Sequence, residues 1–402
     1  MPHLNSLFVF LSHRAGARAI LCVLIAAAFI FAFARSASAQ NWERGQWGAP
    51  PDFRGLNDSV LAMTFDKAGN LYVGGYFTDA GGDPNADRVA MWDGKKWNAL
   101  GGGFNKSVQA LAADSQGNVY AGGLFTATSD GQARFGHIAK WDGRAWTPLA
   151  QGLDNTVLTL AVDAQNRVYA GGDFKNACRD SACATSIPAP HIVRWNQNQW
   201  ETLGSGLDNS VNTIAVDNLG KVFVGGDFKH TAYGTTELSH VAAWDGSAWQ
   251  DVGGGVSGSI WPTVHAVAVD GIGNLYVAGR FALAGKLFAG RIAKWDGQEW
   301  STLDTGMNFG TYSLQTDAHG DLYAGGFFTQ AGKTDASHIA KWDTRANTWL
   351  SLGGGLDNTV FILTLSPQQT LFAGGDFLDA DGNPNADRVA EWIVLKTARN
   401  AP

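Results

Sequence analysis

Short apolar-rich runs of four to seven residues, each bounded by Gly, Asp or Asn, occur along this chain in sets of four. The set recurs about every fifty residues, and self-similarity at a fixed period marks a repeat architecture. In the third copy the runs are Val157–Val162 (a), Val168–Gly172 (b, with Phe174 just beyond it), His191-Ile-Val-Arg-Trp195 (c) and Trp200-Glu-Thr-Leu203 (d). Val, Ile, Leu, Tyr and Trp dominate these runs, and none has a helical period. Such segments between turn residues predict β-strands joined as hairpins. The copies span about 55–103, 104–152, 153–206, 207–255, 256–306, 307–355 and 356–402, the last supplemented by 40–54. One copy has too little partner surface to bury its own apolar face, so the copies are expected to stack.

The turns carry their own signals. Asp66-Lys-Ala-Gly-Asn70, Asp114-Ser-Gln-Gly-Asn118 and Asp270-Gly-Ile-Gly-Asn274 join a to b, and Trp-Asp-Gly at Trp92, Trp141, Trp244 and Trp295 joins c to d. Glycine accepts positive φ and Asp tolerates it, so these aspartates read as turn residues rather than catalytic acids. Strand b ends in a glycine pair in six copies, from Gly74-Gly75 to Gly374-Gly375, and in Ala278-Gly279 in the fifth. Glycine weakens a strand, so its recurrence predicts a bulge or a close approach of another backbone. Tryptophan stands in every c run, from Trp92 to Trp392, but in only six d runs, from Trp97 to Trp349. The last copy lacks a d run and the N-terminal segment around Trp47 is a spare one. Trp47 lies 13 residues before Val60, close to the 11 from Trp97 to Val108. The predicted fold is therefore all-β: a seven-bladed β-propeller of four-stranded antiparallel blades, with the N-terminal strand completing the last blade and leaving no open edge.

Four-stranded copies of this length, with Gly-Gly after b and Trp in c, resemble kelch-type β-propeller repeats such as the galactose-oxidase central domain and fungal cortical polarity markers. The resemblance covers nearly all of residues 41–402. It departs from the standard repeat in lacking the tyrosine between the glycine pair and the Trp, and the Trp-Asp here opens a turn, unlike a WD40 repeat. It implies a fold that hosts both binding proteins and enzymes. The copper site of galactose oxidase has no counterpart, because Tyr72, Tyr120, Tyr169, Tyr276 and Tyr323 share one strand-b slot and read as packing residues.

Residues 1–39 carry Arg14 and Arg18, an apolar run over 19–34 and Ala37-Ser38-Ala39, the layout of a secretory signal peptide cut before Gln40. An uncut membrane anchor is the alternative. Removing the three arginines of this segment from 29 basic against 36 acidic side chains leaves a net charge of −10. That disfavours nucleic acid, which requires a positive surface. No later run is long and apolar enough to span a bilayer. The expected product is secreted or periplasmic, at the cell surface or beyond, and monomeric. In an oxidising compartment Cys178 and Cys183 are expected to form a local disulfide; a metal or redox pair is the alternative, with only His191 nearby.

Ligands of a propeller sit on the face where the d–a and b–c connections emerge, and three constellations fall there. An Asx ring precedes strand a: Asn57, Asp58, Asn105, Asp154, Asn155, Asp208, Asn209, Asn308, Asp357 and Asn358. These groups either reach the channel mouth, to hold Ca²⁺ or a sugar, or cap local backbone amides. A basic ring starts strand c: Arg88, His137, His191, His240, Arg291, His338 and Arg388. One per blade and far from the axis, these residues are too dispersed to share a metal, and they are expected to hydrogen bond between blades. Acidic b–c loops in the first and last copies (Asp79, Asp83, Asp87; Asp379, Asp381, Asp387) offer calcium candidates against an ordinary Gly/Pro/Asn turn. Trp261 lies outside both tryptophan registers, either as an aromatic platform or as a cap on the channel. Polar groups repeated in every copy favour folding roles over catalysis. The leading expectation is an exported, non-catalytic binding or scaffold propeller that recognises an extracellular protein or glycan through its loop face, without a cofactor apart from the calcium candidate. The alternative is a hydrolase, lyase or oxidase acting on a polysaccharide or glycoconjugate, which requires a tuned nucleophile, base or metal.

Overall fold

The computed structural model describes residues 45–48 and 55–394 apart from 181, 235 and 384–385. Residues 1–40, and with them the expected signal segment, lie outside the described residues. Among the described residues there are seven four-stranded antiparallel sheets, each ordered a–b–c–d. In the first, Val60–Phe65, Leu71–Gly75, Val89–Trp92 and Trp97–Ala99 follow one another by hairpins. The a strands of the others are Val108–Ala113, Val157–Val162, Val211–Val216, Thr263–Val269, Thr311–Thr316 and Val360–Leu365. In the last sheet the outer strand is Gly45–Gly48, paired beside Val389–Val394. Strand a of each sheet lies against strand a of the next, and Val360–Leu365 lies against Val60–Phe65. All-β, repeated four-stranded sheets in this order are consistent with a propeller.

The glycine pairs explain how closely the sheets approach. A Cβ on Gly74 would sit 2.5 Å from Val108 Cγ1 of the next sheet, and one on Gly122 would sit 2.4 Å from Val157 Cγ1. The same contact joins Gly171 to Val211, Gly225 to Val264, Gly325 to Val360 and Gly374 to Val60. The second glycine faces inward on its own sheet: a Cβ on Gly75 would meet the Ser59 carbonyl oxygen at 2.1 Å. Both predicted reasons for glycine are therefore present, because every a–b pair also shifts register by one residue near its start, as between Val60 and Ala62. The valines so covered are fully buried, and each buried side chain of that size contributes about 1.5–3 kcal/mol.

Tryptophan ties the sheets together at their outer edge. The c and d tryptophans face one another in register, as Trp92 does Trp97 with ring centroids 5.4 Å apart. Trp146 and Trp249 Nε1 donate to the Leu100 and Leu203 carbonyls of the preceding sheet's d–a connection at 2.9 Å, and Trp349 donates to Leu303 at 3.0 Å. The Phe after each glycine pair, from Phe77 to Phe377, is buried beneath the b–c loop. That loop folds back to bridge the start of the copy, as Leu56 with Ala80 and Leu356 with Ala380.

The turn aspartates do what the sequence assigns them. Asp66 accepts the Asn70 amide at 2.9 Å and the Tyr72 hydroxyl at 3.3 Å, and Asp114 accepts the Tyr120 hydroxyl at 3.1 Å. Burial, with the adjacent carboxylate, pushes the Tyr72 phenol up to about 12. In the c–d turn, amides of Ala248 and Ser247 hold the Asp245 carboxyl down at about 2.

Candidate functional site

The first Asx is spent on backbone in the six copies that have one, the fifth having Ser257 in its place. Asn57 Oδ1 accepts the Thr78 amide at 2.8 Å, Asn105 accepts those of Thr126 and Ala127, and Asn308 those of Thr329 and Gln330. Asp154 accepts the amides of Lys175 and Asn176, Asp208 those of Lys229 and His230, and Asp357 those of Leu378 and Asp379. Each side chain thereby clamps the segment following strand b to the start of strand a. The second Asx caps its own turn: Asp58, Asn155, Asn209 and Asn358 each accept the amide of the next residue. A cation or sugar at this ring competes with amides already bound, so this geometry favours the capping alternative.

The basic ring differs from the sequence expectation in its partners. His137, His191, His240 and His338 place Nδ1 at 2.9–3.3 Å from the carbonyl oxygen of the second glycine of their own sheet, Gly123, Gly172, Gly226 and Gly326. The bond runs within a blade, not between blades. Arg88 and Arg388 likewise reach Tyr76 and Asp376 of their own sheets, and Arg291 alone crosses, to the Met307 carbonyl at 3.0 Å. All seven residues have φ between 63° and 74°. That left-handed backbone turns the chain into strand c, and the side-chain hydrogen bond offsets its cost. Burial holds His137, His240 and His338 below the usual imidazole range.

In the acidic loops Asp79 and Asp379 accept the amides of Gly82 and Gly382, Asp83 accepts that of Asn85, and Asp381 accepts that of Gly354. Asp87 accepts the Ser129 hydroxyl. Residues 384–385 of the last loop lie outside the described residues. Among the described residues, no group of three or more His, Cys, Asp and Glu is arranged to hold a metal ion. Cys178 and Cys183 are disulfide-bonded at the end of the hairpin Asn176–Cys178/Ser186–Pro188. Trp261 stands 74% exposed two residues before strand a of the fifth sheet.

A feature absent from the sequence reading is the set of residues that the register shifts push out of the strands. They are Leu61, Gln109, Leu158, Asn212, His265, Tyr312 and Phe361, one from each a strand. All seven line a cavity of about 430 Å³ to which every a strand contributes. His265 packs edge-on to Tyr312 with ring centroids 5.5 Å apart, and Tyr312 lies 6.0 Å from Phe361. Asn212 Nδ2 donates to Thr263 Oγ1 and the Val264 carbonyl at 3.2 Å, and Gln109 Nε2 donates to Ser107 Oγ at 3.1 Å. Burial, reinforced by Arg280, holds His265 below the usual imidazole range. On the loop face Phe309 and Phe327 are half exposed, with centroids 6.0 Å apart, and Ile260 is almost fully exposed. In the sequence the bulged position holds Leu, Gln, Leu, Asn, His, Tyr and Phe in turn.

The chain matches no protein-family model, and no curated protein matches it. Solved structures share its fold at 12–13% identity. The extracellular domain of the putative one component system BT4673 from B. thetaiotaomicron aligns with a TM-score of 0.57 and 12% identity, over 86% of this chain and 39% of that one. The WD40 β-propeller domain of Doa1 aligns with a TM-score of 0.55 and 13% identity, over 89% and 99%. The extracellular domain of the putative hybrid two component system BT3049 from B. thetaiotaomicron aligns with a TM-score of 0.54 and 13% identity, over 87% and 40%. The chain thus spans about two fifths of the two bacterial domains. At this identity the likeness is one of fold, and it is the β-propeller.

Proposed function

We propose that this is an exported, closed, seven-bladed propeller that binds an extracellular protein or glycan on the face where the a strands begin, without chemistry of its own. Closure is supported by the contacts between last and first sheets: Ser59 donates to Asp376 at 2.9 Å, and Phe65 lies edge-on to Phe372 with centroids 5.0 Å apart. Export is supported by the leader-like residues 1–39 and by the disulfide, which persists in oxidising compartments. The observation that carries the binding reading is the aromatic group on this face. Trp261, Phe309, Phe327 and Tyr76 are 74%, 52%, 50% and 45% exposed, in a chain whose other tryptophans in the described sheets are structural. Exposed apolar side chains gathered on one face mark a contact surface, and Trp is the residue most often dominant in such contacts.

The test is a glycan array and a lysate-free panel of extracellular polymers, probed with the exported protein and its Trp261→Ala and Phe327→Ala variants. Retained binding in the native protein, weakened tenfold or more in Trp261→Ala, is the expected result. That corresponds to about 1.4 kcal/mol or more of lost contact. Binding unchanged in both variants removes the loop face as the site.

A further inference from the structure

The cavity surrounded by the a strands has a pattern that folding alone does not ask for. Two positions flanking the bulge keep their character around the repeat: the residue before it is Val in six sheets and Thr311 in one, and the second residue after it is Met, Leu, Ile or Val in all seven. A repeat whose only task is to stack has no reason to vary one ring position. Yet the bulged residue is amide, imidazole, phenol, phenyl or leucyl by turns, and this is the position that lines the cavity.

The arrangement is two-sided. His265, Tyr312 and Phe361, from three successive sheets, form a continuous aromatic wall. Asn212 and Gln109, from the fourth and second sheets, present their side-chain amide oxygens as acceptors, while Nδ2 and Nε2 are engaged with Thr263, Val264 and Ser107. None of the seven bulged residues is an Asp, Glu, Lys or Arg. Nor is any other residue that lines the cavity, and Arg280 acts on His265 from outside that lining. A volume of about 430 Å³ lies within the ordinary range for small-molecule sites. An aromatic wall facing uncharged amides matches a ligand with an apolar C–H face and hydroxyls at its edge. With no Asp, Glu, Lys or Arg in the lining, neither an anion nor a cation meets a counter-ion there.

We infer that the axial cavity is a binding site for a single uncharged sugar ring, stacked on Tyr312 and hydrogen-bonded by Asn212 and Gln109. This rests on the loop-face reading above and sharpens it: the face meets the larger partner, and the cavity takes its terminal neutral sugar.

The experiment uses saturation-transfer NMR on the exported protein with methyl glucoside, methyl galactoside and methyl mannoside as neutral probes. Galacturonic acid and glucosamine are the charged ones. At least one neutral glycoside is expected to bind, with affinity reduced tenfold or more in Asn212→Leu and in Tyr312→Ala. The exposed Leu219→Ser variant, at an a–b turn, is expected to bind as the native protein does. Tyr312→Phe keeps the wall and is expected to lose less than Tyr312→Ala, which guards against a folding defect. Binding of none of the neutral probes, preference for a charged probe, or equal binding by native protein and Asn212→Leu overturns the inference. If array binding to larger ligands persists in those cases, the loop-face reading survives without the cavity site; if it is lost as well, both fall.

Discussion

Adding one methyl group at Gly122 tests how the sheets pack. Its Cβ would lie 2.4 Å from Val157 Cγ1, 3.0 Å from Val157 Cβ and 3.4 Å from Leu160 Cδ1. Val157 is fully buried, so neither side chain has room to swing away. Overpacking of this kind costs about 1–3 kcal/mol, and the first contact puts Gly122→Ala in the upper half. Val157→Ala removes two buried methyl groups, worth about 0.8 kcal/mol each by transfer, and the residual cavity raises the loss to about 2–3 kcal/mol. If the two positions were independent, the double variant would lose about 4–6 kcal/mol. The geometry instead has the new methyl occupy the space vacated by Cγ1. Gly122→Ala should then cost clearly less in the Val157→Ala background, where only the 3.0 Å contact with Cβ and the 3.4 Å contact with Leu160 remain, a coupling of about 1–2 kcal/mol in a double-mutant cycle. Urea unfolding followed by tryptophan fluorescence supplies the four midpoints at constant slope. Equal costs of Gly122→Ala in the two backgrounds would refute the contact. The fifth copy offers a natural parallel, with Ala278 at the first-glycine position and Thr311 in the valine slot opposite.

The left-handed residue opening strand c gives a second prediction: His191→Gly should be less destabilising than His191→Ala in thermal melts. Both lose the 2.9 Å bond to Gly172, but only Ala retains the cost of φ near 65°. Stability should also fall with pH below the usual imidazole range. Burial depresses the folded-state values of His137, His240, His265 and His338. The unfolded chain therefore takes up protons first, and this contribution, complete above about pH 7, is lost as pH drops through 6.5 toward the folded values. Melting midpoints from pH 8 to 5 should show the decline, made shallower by His240→Gln. Trp249→Phe, which removes the donation to Leu203 at 2.9 Å, should cost about 1–3 kcal/mol in urea midpoints.

Much of the local architecture is written in residue types whose reasons are short-range. Asp-Gly turns, the tryptophan register and the glycine pairs each follow from one backbone or packing need, and the four-stranded sheets follow from them. The turn roles of Asp66 and Asp114 were legible for the same reason. The partners of His137 and His191 were not, because a hydrogen bond to a carbonyl of the same sheet depends on a positive φ that no side-chain pattern announces. Nor was the cavity ring. A one-residue register shift reverses the face on which a side chain emerges, so Asn212, His265 and Tyr312 read as ordinary strand positions until the bulge is placed. Trp261 was visible as an outlier from the repeat, and its exposure is what gives that irregularity a physical meaning.

Ring closure is tested most directly at the seam between the last and first sheets. Ser59 and Asp376 are 317 positions apart in sequence, yet their side chains meet at 2.9 Å. With Ser59→Cys and Asp376→Cys introduced together, a short bismaleimide should link the two within one native molecule. The linked chain should resist urea by about 5 kcal/mol more than the unlinked one, from the entropy that so long a covalent loop removes from the unfolded state. Thiols that stay unlinked in the native protein, or that join only between molecules, would mean that the sheets do not close on themselves.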